Sequence, residues 1–129
     1  MNINELFGVH ADALSLRSRR LELLSKNLSN SDTPHFKAKD LDFREAMSRA
    51  LDGQVRRMAT TDMKHIAEDK TLSADIEKYR VPFNTAFDGN TVELAVEQAK
   101  FGKASADYMA TLGFLESRVS SLRKSIRGE

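Results

Sequence analysis

The chain has 129 residues, 30% of them charged and 7% aromatic, with 20 Lys and Arg against 19 Asp and Glu. This near balance offers no basic face to nucleic acid or to an anionic membrane, and without Cys there is neither a disulfide framework nor a thiolate metal site. No apolar run approaches the ~20 residues of a membrane span, and the N-terminus lacks the charged-then-apolar order of a secretory signal, so export, if it occurs, is expected to use another route.

Residues 3–28 carry a sustained helical repeat. Ile3, Phe7, His10, Leu14, Arg17, Leu21, Leu24 and Leu28 follow one another by steps of three and four, and Leu6, Val9, Ala13, Leu16 and Leu23 form a second stripe beside them. A helix of this extent is ~39 Å long. One partner helix cannot cover so wide an apolar face, and the second stripe is expected to meet neighbouring subunits.

Residues 25–43 read as a helix stop followed by extended chain. Asn30 is expected in the left-handed conformation that closes a helix, Pro34 cannot continue one, and Thr33 before it is pushed toward extended geometry. Ser29, Ser31 and Asp32 can bond the last free carbonyls or the turn backbone. Between residues 36 and 43 the apolar residues Phe36, Ala38, Leu41 and Phe43 are spaced among charges, which suits a segment laid along another surface.

Phe43, Ala46, Met47, Ala50 and Leu51 predict a short helix that Asp52-Gly53 ends. Residues 54–87 are poorly patterned, and Pro82 and the Asp88-Gly89 turn signal break any helix, leaving one short helix expected around residues 73–78. Asn90-Thr91-Val92-Glu93 resembles a capping box that starts the last helix. Its seam is Leu94, Phe101, Ala104, Tyr108, Leu112, Leu115, Val119, Leu122 and Ile126, and it runs to about Arg127, where Gly128 stops it. The expected fold is therefore all-α: long N- and C-terminal helices paired as an α-helical coiled coil and joined by an extended, largely irregular middle segment. One domain comprises an N-terminal helix (1–30), a connector (31–90) and a C-terminal helix (91–129).

No catalytic constellation emerges. His10, His35 and His65 lie in separate segments without ligand spacing, so no metal site is expected. His10 and Arg17 interrupt the apolar seam as polar positions that set register. Asp40 and Asp42 lack an accompanying base, nucleophile or glycine-rich loop, and Phe101, Tyr108 and Phe114 read as packing residues. Neither a cofactor nor a small-molecule substrate is implied.

Asn27, Asn30, Thr33, Pro34 and Phe36, closing the first helix and followed by Asp42-Phe43, form a pattern that resembles the signature of flagellar rod and hook proteins. Tyr79-Arg80-Val81-Pro82, then Asp88-Gly89-Asn90-Thr91-Val92 with Glu97 downstream, and the small chain size narrow the likeness to the proximal-rod members of the flagellar basal-body rod family. His35 departs from the pattern, standing where the family usually has Gly. The resemblance implies a structural subunit of the basal-body rod, without catalytic residues, in the shaft that carries motor torque across the periplasm. It further implies export through the flagellar type III export apparatus without a cleaved signal. Expected neighbours are copies of the chain itself, other rod proteins and the basal-body adaptor protein FliE. Phe43 and Met47 resemble the element that such subunits present to the export gate. The seam residues Leu14, Leu21, Leu24, Leu28, Tyr108, Leu112, Leu115, Val119 and Leu122 would hold the helices together during assembly. Two other classes are a non-flagellar coiled-coil adaptor or chaperone, against which the Thr-Pro and Asp-Gly-Asn-Thr-Val elements argue, and a rod-associated muramidase. The latter would need an acidic residue in an apolar cleft that the sequence does not offer.

Overall fold

A computed structural model describes the backbone of residues 3–58 and 76–128 and the side chains of residues 7–52 and 76–128. The N-terminal repeat forms helix α1 (Ile3–Ser29). Its stop uses a different device from the one the sequence suggests. Asn30 is not left-handed; the non-glycine residue at positive φ among the described residues is His35, at 61°. The side chains of Ser29 and Asn30 instead donate to the Lys26 carbonyl at 2.9 and 2.8 Å, satisfying one of the helix's last free acceptors twice.

The extended segment then forms strand β1 (Lys39–Leu41), and helix α2 follows at once (Phe43–Met58). Asp42 caps α2, its carboxylate accepting the Glu45 N–H at 3.2 Å. The predicted stop at Asp52-Gly53 fails, because Gly53 lies inside the helix. Glycine there costs about 1 kcal/mol against alanine, which is not enough to end a helix already anchored by packing.

Strand β2 (Glu77–Tyr79) pairs antiparallel with β1, Lys39 opposite Tyr79, Asp40 opposite Lys78 and Leu41 opposite Glu77. This replaces the short helix expected around residues 73–78, of which residues 73–75 lie outside the described residues, as do Met63, Ile66 and Leu72 of the poorly patterned stretch. The cause is tertiary: β1 offers an unpaired ladder that local sequence does not reveal. The fold is thus mainly helical with a two-stranded sheet, not purely α.

Leu16 and Leu23 of α1, Leu41 of β1, Ala46 of α2 and Ile76 beside β2 form one buried cluster, with Phe43 and Met47 packed against it. Leu16 and Leu23 belong to the second stripe, so this part of the face expected to meet neighbours is covered from within. Leu24, from the first stripe, is completely buried.

Helix α3 (Leu94–Arg127) begins four residues after Asn90, and its N-cap Glu93 makes no side-chain cap bond. The capping box is therefore not formed. The Glu93 carboxylate turns back to accept the backbone amides of Phe83 and Asn84 at 3.5 and 3.3 Å. The other end behaves as predicted, Gly128 closing α3 at φ 73° with its N–H on the Lys124 carbonyl at 3.0 Å.

Helices α1 and α3 pack against each other. Asn27 meets Glu97 at 3.1 Å and Arg17 meets Asp107 at 3.3 Å, so they run antiparallel. Fourteen residues back from Arg17 is Ile3, and fourteen on from Asp107 is Ser121, which leaves Leu122–Arg127, about 9 Å of helix, projecting beyond the first residue of α1. The buried positions of α3 are Glu97, Ala104 and Thr111, spaced by seven. An apolar reading finds the second and misses the polar first and third.

Candidate functional site

The residues that carried the sequence signature converge where α1 ends and α3 begins. Asn27, in the last turn of α1, is buried, and its amide closes a ring with one residue of β1: Nδ2 donates to the Lys39 carbonyl at 2.7 Å and Oδ1 accepts the Lys39 N–H at 3.1 Å. The remaining Nδ2 proton goes to Glu97 Oε2 at 3.1 Å. One side chain thus mimics a strand partner for β1 while tying α1 to α3. Every hydrogen-bonding position of the amide except the second lone pair is used.

Glu97 is fully buried and its other carboxylate oxygen pairs with the Arg80 guanidinium, which is itself largely buried. A buried carboxylate needs such a partner, since an isolated one would cost several kcal/mol. Arg80 also fixes the backbone, its N–H donating to the Ala38 carbonyl at 3.0 Å.

Asn90 performs the second closure. Its Nδ2 donates to the carbonyls of Asn30, Ser31 and Thr33 at 3.0, 2.8 and 2.9 Å, and its Oδ1 accepts the Val92 N–H at 2.8 Å. A residue sixty positions away therefore supplies the donor that the turn after α1 lacks. Asn30 Oδ1 in turn accepts the Thr33 hydroxyl at 3.1 Å. Residues 35–38 and 88–91 are joined by three bonds from backbone N–H groups and one from a lysine side chain. The His35 N–H donates to the Asp88 carbonyl at 3.0 Å, the Thr91 N–H to the Phe36 carbonyl at 3.0 Å, and the Ala38 N–H to the Thr91 hydroxyl at 2.8 Å. Asp88 Oδ1 accepts the Asn90 N–H at 3.0 Å, and the Gly89 carbonyl accepts Lys37 Nζ at 2.9 Å. His35 sits against Gly89 so closely that a Cβ on Gly89, itself at φ 77°, would lie 3.0 Å from His35 Nδ1.

The signature therefore describes a clasp. Asn27, Asn30, Thr33, Asp88, Gly89, Asn90 and Val92 belong to it by direct bonds, Phe36 by its backbone, and exposed Pro34 only by position. The sequence reading missed the contributions of Lys39, Ser31 and the Thr91 hydroxyl. Lys39 and Ser31 contribute only backbone groups, and the partners of Ser31 and Thr91 lie more than fifty residues away, so no local side-chain signal marks them.

Outside the clasp, Arg20 grips Asp40 with two bonds of 2.9 and 3.2 Å, and Arg19 Nε donates to Glu77 at 3.0 Å, so α1 holds both strands by charge. Burial acts to raise the Asp40 carboxyl, but the Arg20 and Leu41 hydrogen bonds with the Arg20 and Lys100 charges outweigh it and hold the group below the usual carboxylate range. Of the proposed seam, Leu24 is buried, Leu14, Leu21, Leu28, Tyr108, Leu112, Leu115 and Leu122 are half-buried, and Val119 is exposed. Phe43 lies on the core with the Arg17 guanidinium 4.6 Å above its ring. Among the described residues no group of three His, Asp or Glu could hold a metal ion, and no helix is long and apolar enough to cross a membrane.

Two long antiparallel terminal helices clasped at one end by side-chain amides define a mainly helical hairpin protein. No protein-family model matches the sequence. Curated relatives do. The chain is 39% identical to the flagellar basal body rod protein FlgB of Aeromonas hydrophila over 130 residues, covering 100% of this chain and 98% of that one. It is 43% identical to FlgB of Cereibacter sphaeroides over 123 residues (95% and 94%) and 35% identical to FlgB of Proteus mirabilis over 127 residues (93% and 92%). The chain belongs to the FlgB family of flagellar basal body rod proteins.

Proposed function

We propose that this chain is a non-enzymatic structural subunit of the proximal rod of the bacterial flagellum, polymerising through its terminal helices into part of the shaft that transmits torque across the periplasm. The observation that carries the reading is likeness to rod proteins along essentially the whole chain. The clasp supports it mechanically. A shaft loaded in torsion must not let its two helices slide past one another, and the Asn27–Glu97 and Asn90 bonds oppose such sliding at one end while Arg17–Asp107 opposes it near the middle. In the assembled rod α1 and α3 would wind as a coiled coil, the chain acting as a single domain. Neighbours would be further copies, other rod proteins and FliE.

Export through the flagellar type III apparatus without a cleaved signal belongs to the same reading, with Phe43 and Met47 meeting the export gate. Both pack against the core, so the gate would read them in the unfolded chain. In a motile strain carrying this chain as its only copy, deletion should abolish motility and rod formation, and the chain should copurify with basal bodies. Wild-type swimming after deletion would defeat the proposal. Phe43→Ala should lower the exported fraction, whereas Arg17→Ala, which removes the cation over the Phe43 ring only in the folded state, should not. Equal export of all three forms would dismiss the gate assignment alone.

A further inference from the structure

The two strands differ in how their outer edges are met. The Arg80 N–H on the Ala38 carbonyl continues the ladder past β2 and fixes its phase, so Lys78 and Arg80 turn their backbone groups toward β1 while Glu77, Tyr79 and Val81 turn theirs away. On β1 the outward groups find partners within the subunit: Asn27 takes both backbone groups of Lys39, and Asp40 Oδ1 accepts the Leu41 N–H at 2.7 Å. On β2, among the described residues, nothing bonds the outward N–H and C=O groups of Glu77, Tyr79 and Val81. Pro82 does not interrupt this row, because its missing N–H falls in the phase that faces β1. Tyr79 and Val81 are 68 and 92% exposed. An open edge that carries exposed apolar side chains is a template for a further strand.

We propose that the outer edge of β2 takes an extended segment of a different protein as a third strand, main chain to main chain over residues 77–81, with apolar residues of that segment on Tyr79 and Val81. Only an extended backbone presents donors and acceptors at the spacing of this row, which excludes a helix as the occupant. A second copy fits poorly. Its β1 edge is already taken by Asn27, and each antiparallel pairing of β2 with another β2 that engages Tyr79 sets cations directly opposite: Lys78 on Lys78, Lys78 on Arg80, or Arg80 on Arg80. Lys78 and Arg80 are paired with Glu45 and Glu97 inside the subunit, so the incoming strand needs no acidic residue opposite them, only the absence of a further cation. The partner segment is therefore apolar at alternate positions and carries no Lys or Arg between them. An edge this short buries far less than the ~1,200 Å² of a stable lone interface, so the strand adds where its protein is already held nearby.

The full chain with p-benzoylphenylalanine in place of exposed Val81, expressed as the only copy, would be irradiated in cells and its adducts mapped by mass spectrometry. The expected adduct joins residue 81 to one segment of a different protein, apolar at alternate positions and without Lys or Arg between them. Tyr79→Pro removes an outward N–H and leaves the inward ladder, so it should cut the adduct about tenfold, whereas Tyr79→Ala keeps that N–H and should cut it less than about threefold. A second arm guards against misfolding of Tyr79→Pro: a proline placed in the mapped partner segment, at a residue facing β2, should give the same loss of about tenfold on a chain unaltered at Tyr79. Adducts confined to the chain itself, residues 59–75 included, adducts only to a second copy, or no adduct at all would each overturn the third strand. So would equal yields from Tyr79→Pro and Tyr79→Ala, or an adduct insensitive to the partner proline. Cross-links from residue 81 report on this edge whatever larger structure the chain joins, so their failure leaves the rod reading intact, and absence of the chain from basal bodies would strike that reading alone.

Discussion

His35 adopts φ 61° where its side chain lies against Gly89, which is itself at φ 77°. A left-handed residue with a Cβ costs roughly 1 kcal/mol, less for His than for branched residues. His35→Gly should therefore stabilise the isolated chain by about 0.5–1 kcal/mol, read as a raised urea midpoint with unchanged slope. Gly89→Ala should destabilise it by more than about 1 kcal/mol, since it meets both the backbone penalty and the imidazole. Combining the two should recover part of that loss, because removing the ring removes the clash but not the φ cost; strict additivity in the four-member cycle would show that the ring and Gly89 are not in contact. Asn90→Ala strips a donor from three carbonyls at once and should cost about 2–3 kcal/mol. Pro34→Ala should cost under about 1 kcal/mol, since Pro34 is exposed and the turn is held by Asn30 and Asn90. The same denaturant series measures both, and a larger loss from Pro34→Ala would return the turn to the proline.

At the scale of elements, charge fastens α1 to the small sheet. Asp40 titrates lower in the folded chain than its usual 3.8 because Arg20 and Leu41 outweigh its burial. A carboxyl lowered by folding adds stability above its unfolded value, and that contribution disappears as the pH falls through the folded value. The chain should consequently lose stability below about pH 4. Asp40→Asn should flatten this acid limb while lowering stability at neutral pH, where Arg20 would be left with a weaker acceptor. Chemical melts at pH 7 and pH 3 check this, and an unchanged acid limb in the variant would assign the effect to other carboxylates. Core packing at the same scale depends on few residues. Leu24, wholly buried, should cost about 2–5 kcal/mol as Leu24→Ala in the neutral-pH melts.

For the whole molecule, the clasp closes one end of the antiparallel pair of α1 and α3, and the C-terminal half of α3 lies away from it. Leu115 lies in that half and is half-buried. Leu115→Asp should cost about 2 kcal/mol in the isolated chain, less than a fully buried site because solvent reaches the carboxylate. In cells it should reduce assembled basal bodies while leaving subunit abundance and export unchanged. Normal basal-body counts would remove Leu115 from the assembly seam.

The sequence alone determined the features that depend on local physics: two long amphipathic helices at the ends, the extended chain after Pro34, and the αL glycine at 128. Each follows from periodicity or from a backbone restriction that acts within four residues. Asn27, Asn30, Asn90 and Glu97 stood out by motif, and the structure gives each a hydrogen bond or ion pair at the clasp, but the sequence reading assigned Asn90 to the wrong helix. Only the tertiary structure decided that Asn90 serves the end of α1, that Asn27 completes β1, and that residues 77–79 form a strand. In each case the partner is a backbone group brought close by the antiparallel packing of α1 and α3. A side-chain amide can satisfy either a local or a distant backbone group, and the buried distant groups, which have no water to bond instead, are the ones that claim it.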